Sequence, residues 1–263
     1  MTPESADLAM QLLDITRQAL LVGFLVFLRV GAAMALLPVF GEQSVPVRVR
    51  LALALAFTLI VSPALSGRLA PLADQAAITG MALATETLAG LAIGMVVRLF
   101  ILALQMAGTI AAQSTSLSQF FGGAGVEPQP AISQLLVVTG LALAAMAGLH
   151  VKLAELMLLS YDILPAGQFP GAAAISAWGL AEITQAVALA FSLAAPFVIA
   201  SLIYNLALGV INRAMPHLMV SFVGAPALAL GGLVLLLLGL PLAMALWVRA
   251  FDQFLASPFT VLP

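Results

Sequence analysis

Two long uncharged runs near the C-terminus constrain this chain most. Residues 183–211 and 214–248 contain no Asp, Glu, Lys or Arg, and only Asn212 and Arg213 separate them. Each run exceeds the roughly 20 apolar residues that an α-helix needs to cross a bilayer. The rest of the chain follows the same trend, with 63% hydrophobic residues, 8% charged residues and a mean hydropathy of +1.18. The sequence therefore predicts an all-α membrane protein.

Further apolar segments precede these two runs, and the late runs contain prolines. Pro196, Pro226 and Pro241 lie inside them, where a proline removes a helix hydrogen bond and kinks or ends the helix. We therefore expect several broken helices that pair as hairpins. The apolar segments number about six, at residues 18–41, 49–67, 76–112, 131–164, 183–211 and 217–248.

Composition limits the domain organisation and the ligands. No charged or Ser/Gly-rich linker interrupts the chain, which predicts a single integral membrane domain over residues 1–263. A net charge of -2 leaves no basic tract for binding phosphates, so we expect no nucleic-acid partner. The chain has no cysteine, and its two histidines lack partners at metal-ligand spacing. We therefore expect no metal ion and no other cofactor.

Catalytic constellations are nearly missing from the sequence. Tyr161 and Asp162 lie in an apolar segment and match the first half of an intramembrane aspartyl protease motif, but no later Gly-x-Gly-Asp supplies the second carboxylate. The serines of the apolar segments lack a nucleophile setting, and serine in a membrane helix usually bonds to backbone or to a neighbouring helix. We therefore expect no catalytic residues and a protein that is not an enzyme.

Seven charged side chains lie within or at the edges of apolar segments. Such residues are costly in a bilayer and either mark an ion or proton path, pair between helices, or extend to the interface. We expect pairing or interfacial placement for six of them. Arg213, beside Asn212 and Pro216, is instead expected to anchor the adjacent backbone. The seven are Arg29, Glu86, Arg98, Lys152, Glu155, Glu182 and Arg213.

Residues 113–130, QSTSLSQFFGGAGVEPQP, combine a polar run, a Phe-Phe pair, a glycine cluster and two prolines. Composition alone favours an ordinary exposed connection, because loops are normally polar and rich in Gly and Pro. The two consecutive aromatic residues before Gly122 and Gly123 favour a second interpretation. They would form an apolar plug on a glycine hinge.

Two motifs together resemble the FliR family of the bacterial flagellar type III export apparatus, which has counterparts in injectisomes. Residues 27–63, FLRVGAAMALLPVFGEQSVPVRVRLALALAFTLIVSP, are similar to the family's opening pattern, and residues 209–226, GVINRAMPHLMVSFVGAP, to its late block. The likeness spans nearly the whole chain, and the Asn-Arg pair favours flagellar over injectisome use. The residues that carry it are Arg29, Pro38, Gly41, Pro46, Arg50, Asn212, Arg213, Pro216, Gly224 and Pro226.

The resemblance implies a subunit of an export gate in the bacterial inner membrane, at the flagellar basal body. Such a subunit assembles with FliP and FliQ into a hetero-oligomeric pore for unfolded flagellar proteins, with membrane lipid around it and with FlhB and FlhA as further partners. The resemblance also implies that residues 1–182 are similar to FliP and that residues 183–263 form a hairpin similar to FliQ. The family's pore-closing loop corresponds by position to Gln119, Phe120, Phe121, Gly122, Gly123 and Gly125.

Two other functions remain open at this point. One is a subunit of an injectisome export gate, and the other is a small secondary transporter with a solute site at broken helices near the bilayer midplane. A transporter would be stable when produced alone. An export-gate subunit would depend on its partners, because its Ala/Gly-rich helix faces need neighbours.

Overall fold

The computed structural model describes residues 3–42, 44–73, 80–115, 130–169, 171–215 and 220–259. Every regular element in this part of the chain is an α-helix, which confirms the predicted all-α class. The helices are α1 (Pro3–Met34), α2 (Val47–Ala73), α3 (Gly80–Thr115), α4 (Ala131–Met146), α5 (Leu149–Ile163), α6 (Ala172–Ala214) and α7 (Val220–Ala256).

Five of the described helices are long and apolar enough to cross a membrane, namely α1, α2, α3, α6 and α7. The shorter helices α4 and α5 make a sixth candidate span if they are counted as one broken span. The break lies at Ala147 and Gly148, where the left-handed backbone of Gly148 (φ +76°) favours a residue without a Cβ. The number of apolar helices therefore agrees with the prediction of about six.

The prolines of the late segments lie within helices and do not end them. Helix α6 continues through Pro196, and α7 continues through Pro226 and Pro241. A proline removes one backbone hydrogen bond, and the many remaining bonds of a long helix tolerate that loss when neighbouring groups satisfy the freed carbonyl. The segment between α6 and α7, residues 215–219, is therefore shorter than the block 209–226, since Gly224 and Pro226 belong to the start of α7.

The chain divides into two compact units that are discontinuous in sequence. Unit 1 comprises Met1–Arg98, Gly148–Ala181 and Leu255–Pro263, and unit 2 comprises Leu99–Ala147 and Glu182–Phe254. Three of the boundaries fall within α3, α6 and α7, and the fourth falls at the break between α4 and α5. This grouping differs from a division at residue 182, and the likeness of 1–182 to FliP and of 183–263 to FliQ stays a prediction.

In unit 1, α2 packs against α1 and α5 through one face. The buried side chains of α2 recur every three or four residues, the spacing that places them on a single stripe of a helix. They are Ala54, Phe57, Val61, Leu65 and Leu69. On α1 the buried stripe begins only at Val22.

Aromatic side chains fill the core of unit 2. The Trp247 indole N–H donates to the Phe100 carbonyl oxygen at 2.9 Å, which satisfies the polar atom of a fully buried ring. The Phe251 ring lies between them, with centroid distances of 5.1 Å to Trp247 and 5.2 Å to Phe100. Gly140 also packs here, because a Cβ at this position would overlap the Leu104 side chain. Unit 2 therefore depends on large rings fitted against a small residue.

Candidate functional site

Arg29 lies at the centre of a buried polar cluster in unit 1. Its Nε and Nη2 donate to the two carboxylate oxygens of Glu86 at 2.9 and 3.0 Å. Its Nη1 donates to the Ser160 hydroxyl at 3.1 Å, and Nη2 also donates to the Leu164 carbonyl oxygen at 2.9 Å. The guanidinium carbon lies 3.6 Å from the ring centroid of Tyr161. We call these five residues the Arg29 cluster.

The cluster is closed to solvent and satisfies its central charge. Arg29 is 1% exposed and Glu86 is fully buried. Four of the five guanidinium N–H groups have acceptors, and the two-pronged pairing with a carboxylate is the strongest geometry available to arginine. The cluster joins α1, α3 and the C-terminal end of α5. Its arrangement suits a structural junction, since the guanidinium and the carboxylate bind each other within the unit, while the buried Tyr161 hydroxyl has no hydrogen-bond partner among the described residues.

This pairing confirms the interhelical placement expected for Arg29 and Glu86. It also gives Ser160 and Tyr161 a structural setting. The Ser160 hydroxyl bonds to Arg29 of another helix and to the Met157 carbonyl oxygen of its own, as expected for a serine in a membrane helix. Asp162 points to a different partner, the exposed Arg68 on α2, with 2.6 Å between Nη2 and Oδ1. A Ser-Tyr pair one helical turn before a helix end was the available signal for these contacts, but it does not identify Arg29 as the partner.

Two glycines let α1 and α3 approach closely beside the cluster. A Cβ on Gly90 would overlap the Arg29 carbonyl oxygen, and a Cβ on Gly94 would lie 2.7 Å from the Ala33 carbonyl oxygen. Since the contacts advance from 29 to 33 as α3 advances from 90 to 94, the two helices run parallel here. The spacing of four seen in the sequence therefore marks a close helix contact in this case.

The N-terminal motif forms a compact turn after α1. The Gly41 N–H donates to the Leu37 carbonyl oxygen at 2.7 Å, and a Cβ on Gly41 would lie within 2.9 Å of three carbonyl oxygens at the end of α1. Pro38 and Pro46 flank this turn, and α2 begins at Val47, directly after Pro46. A side chain at Gly41 would therefore open the turn, which explains physically why a glycine stands there.

Arginines from two helices hold this turn. The Arg50 Nη2 donates to the Glu42 carbonyl oxygen at 3.0 Å, and the Arg98 Nη1 lies 3.8 Å from a Glu42 carboxylate oxygen and 3.4 Å from the Leu36 carbonyl oxygen. The structure thus brings together the motif residues Pro38, Gly41, Pro46 and Arg50. Arg29 lies apart from them, buried on α1. The sequence did not single out Glu42, whose carbonyl oxygen accepts from Arg50 and whose carboxylate lies near Arg98.

The C-terminal motif is only partly described. Asn212 and Arg213 are exposed in the last turn of α6, and Pro216 lies outside the described residues. Gly224 is buried against Leu208, and the Tyr204 hydroxyl donates to the Gly224 carbonyl oxygen at 2.6 Å. This contact fastens the C-terminal part of α6 to the start of α7. A tyrosine in an apolar run was the signal for it, because a buried hydroxyl needs a partner.

The remaining predicted site lies beyond what the structure describes. The candidate plug residues Gln119, Phe120, Phe121, Gly122, Gly123 and Gly125 all fall within 116–129, outside the described ranges. Arg213 as an anchor of the adjacent backbone likewise stays a prediction. Glu182 differs from the pairing expected for it: it is 5% exposed, and the described part of the chain gives it no ion pair.

Unit 2 contains an apolar cavity of about 290 Å³. Leu, Ala, Pro and Phe side chains line it, and Ser192 is the polar side chain among the lining residues. A site that selects a small solute needs several convergent polar groups to orient it. This cavity therefore offers space for an apolar group and little that would recognise a polar solute.

The chain matches known proteins over most of its length. Residues 20–254 match the model of a family described as bacterial export proteins, family 1. The flagellar biosynthetic protein FliR of Caulobacter vibrioides is 34% identical over 236 residues, which cover 89% of this chain and 94% of that protein.

More distant FliR proteins match to a similar extent. The flagellar biosynthetic protein FliR of Escherichia coli K12 is 28% identical over 232 residues, covering 86% of this chain and 87% of that protein. The one from Aquifex aeolicus is 28% identical over 254 residues, covering 91% and 93%. Because one family model and several relatives each cover most of its length, this chain belongs to the FliR family of bacterial export proteins.

Proposed function

We propose that this protein is a core subunit of the flagellar type III protein export gate, where it helps to form and close a channel for unfolded flagellar proteins. The observation that carries the proposal is the match of residues 20–254 to a bacterial export family whose full-length relatives are flagellar biosynthetic FliR proteins. The apolar helices agree with a membrane location, and we place the protein in the inner membrane at the flagellar basal body.

The geometry of the described residues supports a subunit that functions as part of a larger complex. Helices α6 and α7 expose many large apolar side chains, among them Leu202, Leu206, Leu237 and Leu238, each at least 69% exposed. Such surfaces are covered by lipid or by protein neighbours. Unit 1, by contrast, has a buried core that the Arg29 cluster holds together. A rigid core with wide apolar helix faces suits a subunit that is completed by its neighbours.

The neighbours in this proposal are FliP and FliQ in the pore, with FlhB and FlhA as further partners. The protein binds and gates and carries out no catalysis of its own. Residues 119–125 are proposed to close the channel, and the turn between α6 and α7 is proposed to fix the C-terminal hairpin. Unfolded flagellar proteins pass through the assembled pore.

The test is co-expression of this chain with FliP and FliQ from the same bacterium, followed by purification in mild detergent and native mass spectrometry. A defined hetero-oligomer that contains all three proteins is the expected result. A stable monomer or homodimer of this chain, with neither partner retained, would contradict the export-gate proposal and favour a lone transporter. Co-expression with the matching injectisome proteins serves as the control for flagellar use.

A further inference from the structure

A groove of about 340 Å³ lies in unit 1 between the C-terminal half of α1 and the first turns of α2. Apolar side chains form most of its wall, among them Phe27 and Leu28 of α1 and Leu51 of α2. Thr87 of α3 also lines it, but its hydroxyl donates to the Leu83 carbonyl oxygen of its own helix at 2.8 Å. The groove therefore suits an apolar chain.

Arg50 is the charged side chain that lines this groove, which we call the Arg50 groove. Its Nη2 donates to the Glu42 carbonyl oxygen at 3.0 Å, whereas its Nε is buried and has no acceptor among the described residues. No carboxylate in the described part of the chain pairs with it, since the Glu42 carboxylate lies beside Arg98 instead, at 3.8 Å. The charge of this guanidinium is therefore left for a group that the described chain does not supply.

Positive charge predominates around the start of α2. Arg48 is exposed in the first turn of the helix, Arg50 follows it, and Arg98 reaches the preceding turn from α3. Glu42 is the acid that two of these arginines contact. The local field therefore attracts an anion.

The position of the groove along the helices indicates which anion it meets. Met34 ends the candidate membrane span of α1, Val47 begins that of α2, and both line the groove together with Arg50. The guanidinium thus lies at the end of two candidate spans, the level at which basic side chains of membrane helices reach the headgroups. Basic pockets between membrane helices bind anionic lipid headgroups.

We infer that the Arg50 groove binds an anionic phospholipid, with the lipid phosphate accepting from the Arg50 guanidinium and one acyl chain lying against Phe27, Leu28 and Leu51. A phospholipid brings both features in one molecule, because its phosphate adjoins long apolar chains. Inorganic phosphate would pair with the arginine and leave the apolar wall uncovered. The inference goes beyond the proposed function, since it concerns unit 1 alone and holds whichever proteins assemble with this chain.

The first test compares two positions of α2 in intact bacterial membranes. A photoreactive residue replaces Leu51, which lines the groove and is 50% exposed, or Leu59, which lies on the same helix outside the groove and is 73% exposed. The lipid adducts are then identified by mass spectrometry. Adducts at position 51 should be severalfold richer in phosphatidylglycerol than those at position 59, and Arg50→Gln should abolish the difference, because it removes the charge that selects an anionic headgroup. Equal lipid composition at the two positions overturns the inference.

The second test fills the groove and leaves Arg50 in place. Gly31 lines the groove, and a Cβ there would meet only the Phe27 ring, at 3.8 Å, so Gly31→Leu can project into the space. This variant should retain about tenfold less phosphatidylglycerol per protein in native mass spectra recorded from mild detergent. Gly23→Leu on the same helix is the matched control and should retain the full amount, since Gly23 does not line the groove and a Cβ there meets nothing within 4 Å. Equal retention in the two variants contradicts the inference, and this comparison decides if Arg50→Gln weakens the turn at Glu42.

Two further outcomes would show a different occupant. Protein adducts at position 51, with no lipid adduct, would mean that another subunit covers the groove, and they overturn the inference. Displacement of bound phosphatidylglycerol by glycerol 3-phosphate would overturn it as well, because the apolar wall would then contribute nothing. Phosphatidylcholine, which has the same chains and phosphate but no net charge, is expected to bind about tenfold more weakly than phosphatidylglycerol.

Discussion

The Arg29 guanidinium on α1 and the Glu86 carboxylate on α3 form a two-pronged pair, with Nε–Oε2 at 2.9 Å and Nη2–Oε1 at 3.0 Å. Both side chains are at most 1% exposed. Two buried charges are stable only as a pair, because desolvation penalises each one that is left alone. The pair therefore ties the two helices together at the point where Gly90 lets them touch.

The first prediction concerns this pair. Replacing Glu86→Gln should destabilise the protein by about 3 kcal/mol, because Arg29 would remain charged and buried without a counter-ion. Thermal unfolding of the purified protein or complex in detergent measures the loss. Arg29→Lys should also destabilise, since an ammonium group cannot reproduce the two-pronged contact or the stacking on Tyr161.

The control for this prediction is an ion pair in the same unit that is half exposed. Arg68 and Asp162 are 52% and 51% exposed in their side chains, and an exposed pair of this kind contributes less than about 1 kcal/mol. Arg68→Gln should therefore leave the melting temperature nearly unchanged. Equal losses from Glu86→Gln and Arg68→Gln would show that burial of the Arg29 cluster does not matter.

The second prediction uses the close contact of α1 and α3. Gly90→Ala should destabilise the protein markedly, because the new methyl group overlaps the Arg29 carbonyl oxygen and backbone cannot move aside as a side chain can. Gly67→Ala in α2 is the control, since a Cβ there meets nothing within 4 Å. That change should stabilise by up to about 1 kcal/mol through helix propensity. A melting temperature that Gly90→Ala leaves unchanged would refute the close packing.

The sequence identified the helical class and the approximate number of helices because long uncharged runs leave few alternatives. It overestimated the effect of the late prolines. Pro226 was expected to kink or end its helix, but it lies inside α7, which continues on both sides of it. Proline content is thus a weaker stop signal in a long apolar helix than in a short exposed one.

The sequence predicted individual residues of the site, and it did not predict the contacts between residues that are far apart in the chain. Arg29 and Glu86 stood out as embedded charges, but their partnership joins residues 57 positions apart, and no spacing rule reports such a contact. Tyr204 and Glu42 escaped notice for the same reason, because their partners are backbone carbonyl oxygens or distant arginines. Motif likeness singled out Gly41, and the structure shows that a Cβ there would meet three backbone carbonyl oxygens.

The third prediction concerns the end of the chain after α7. The Trp178 indole N–H donates to the Pro258 carbonyl oxygen at 2.9 Å, and the rings of Trp178 and Phe259 lie 5.6 Å apart. Phe259→Ala should destabilise unit 1 by about 3 kcal/mol, because the substitution removes a ring that is 7% exposed and packs against the fully buried Trp178. Limited proteolysis should then cut near the C-terminus faster.

A phenylalanine of the same unit serves as the control for this change. Phe169 is 51% exposed, so Phe169→Ala should alter neither the melting temperature nor the rate of proteolysis appreciably. If Phe259→Ala behaves like Phe169→Ala, the contact with Trp178 does not fasten the end of the chain.

The fourth prediction tests the proposed closing segment. Deleting residues 120–123 removes the Phe-Phe pair and two glycines, and should leave the complex with FliP and FliQ assembled but leaky to ions. The reason is that an apolar constriction excludes ions by excluding water, and its loss lets water and ions pass. Ion flux through cells or through vesicles that contain the purified complex is the measurement.

Two point variants separate apolar closure from a change in loop length. Phe120→Ser with Phe121→Ser keeps the length of the segment and should leak, whereas Phe120→Leu with Phe121→Leu keeps an apolar tip and should stay closed. A tight barrier in both the deletion and the serine variant would rule out the plug. Leakage in the leucine variant as well would mean that the aromatic rings themselves fill the pore, because leucine provides apolar surface without their flat shape and size.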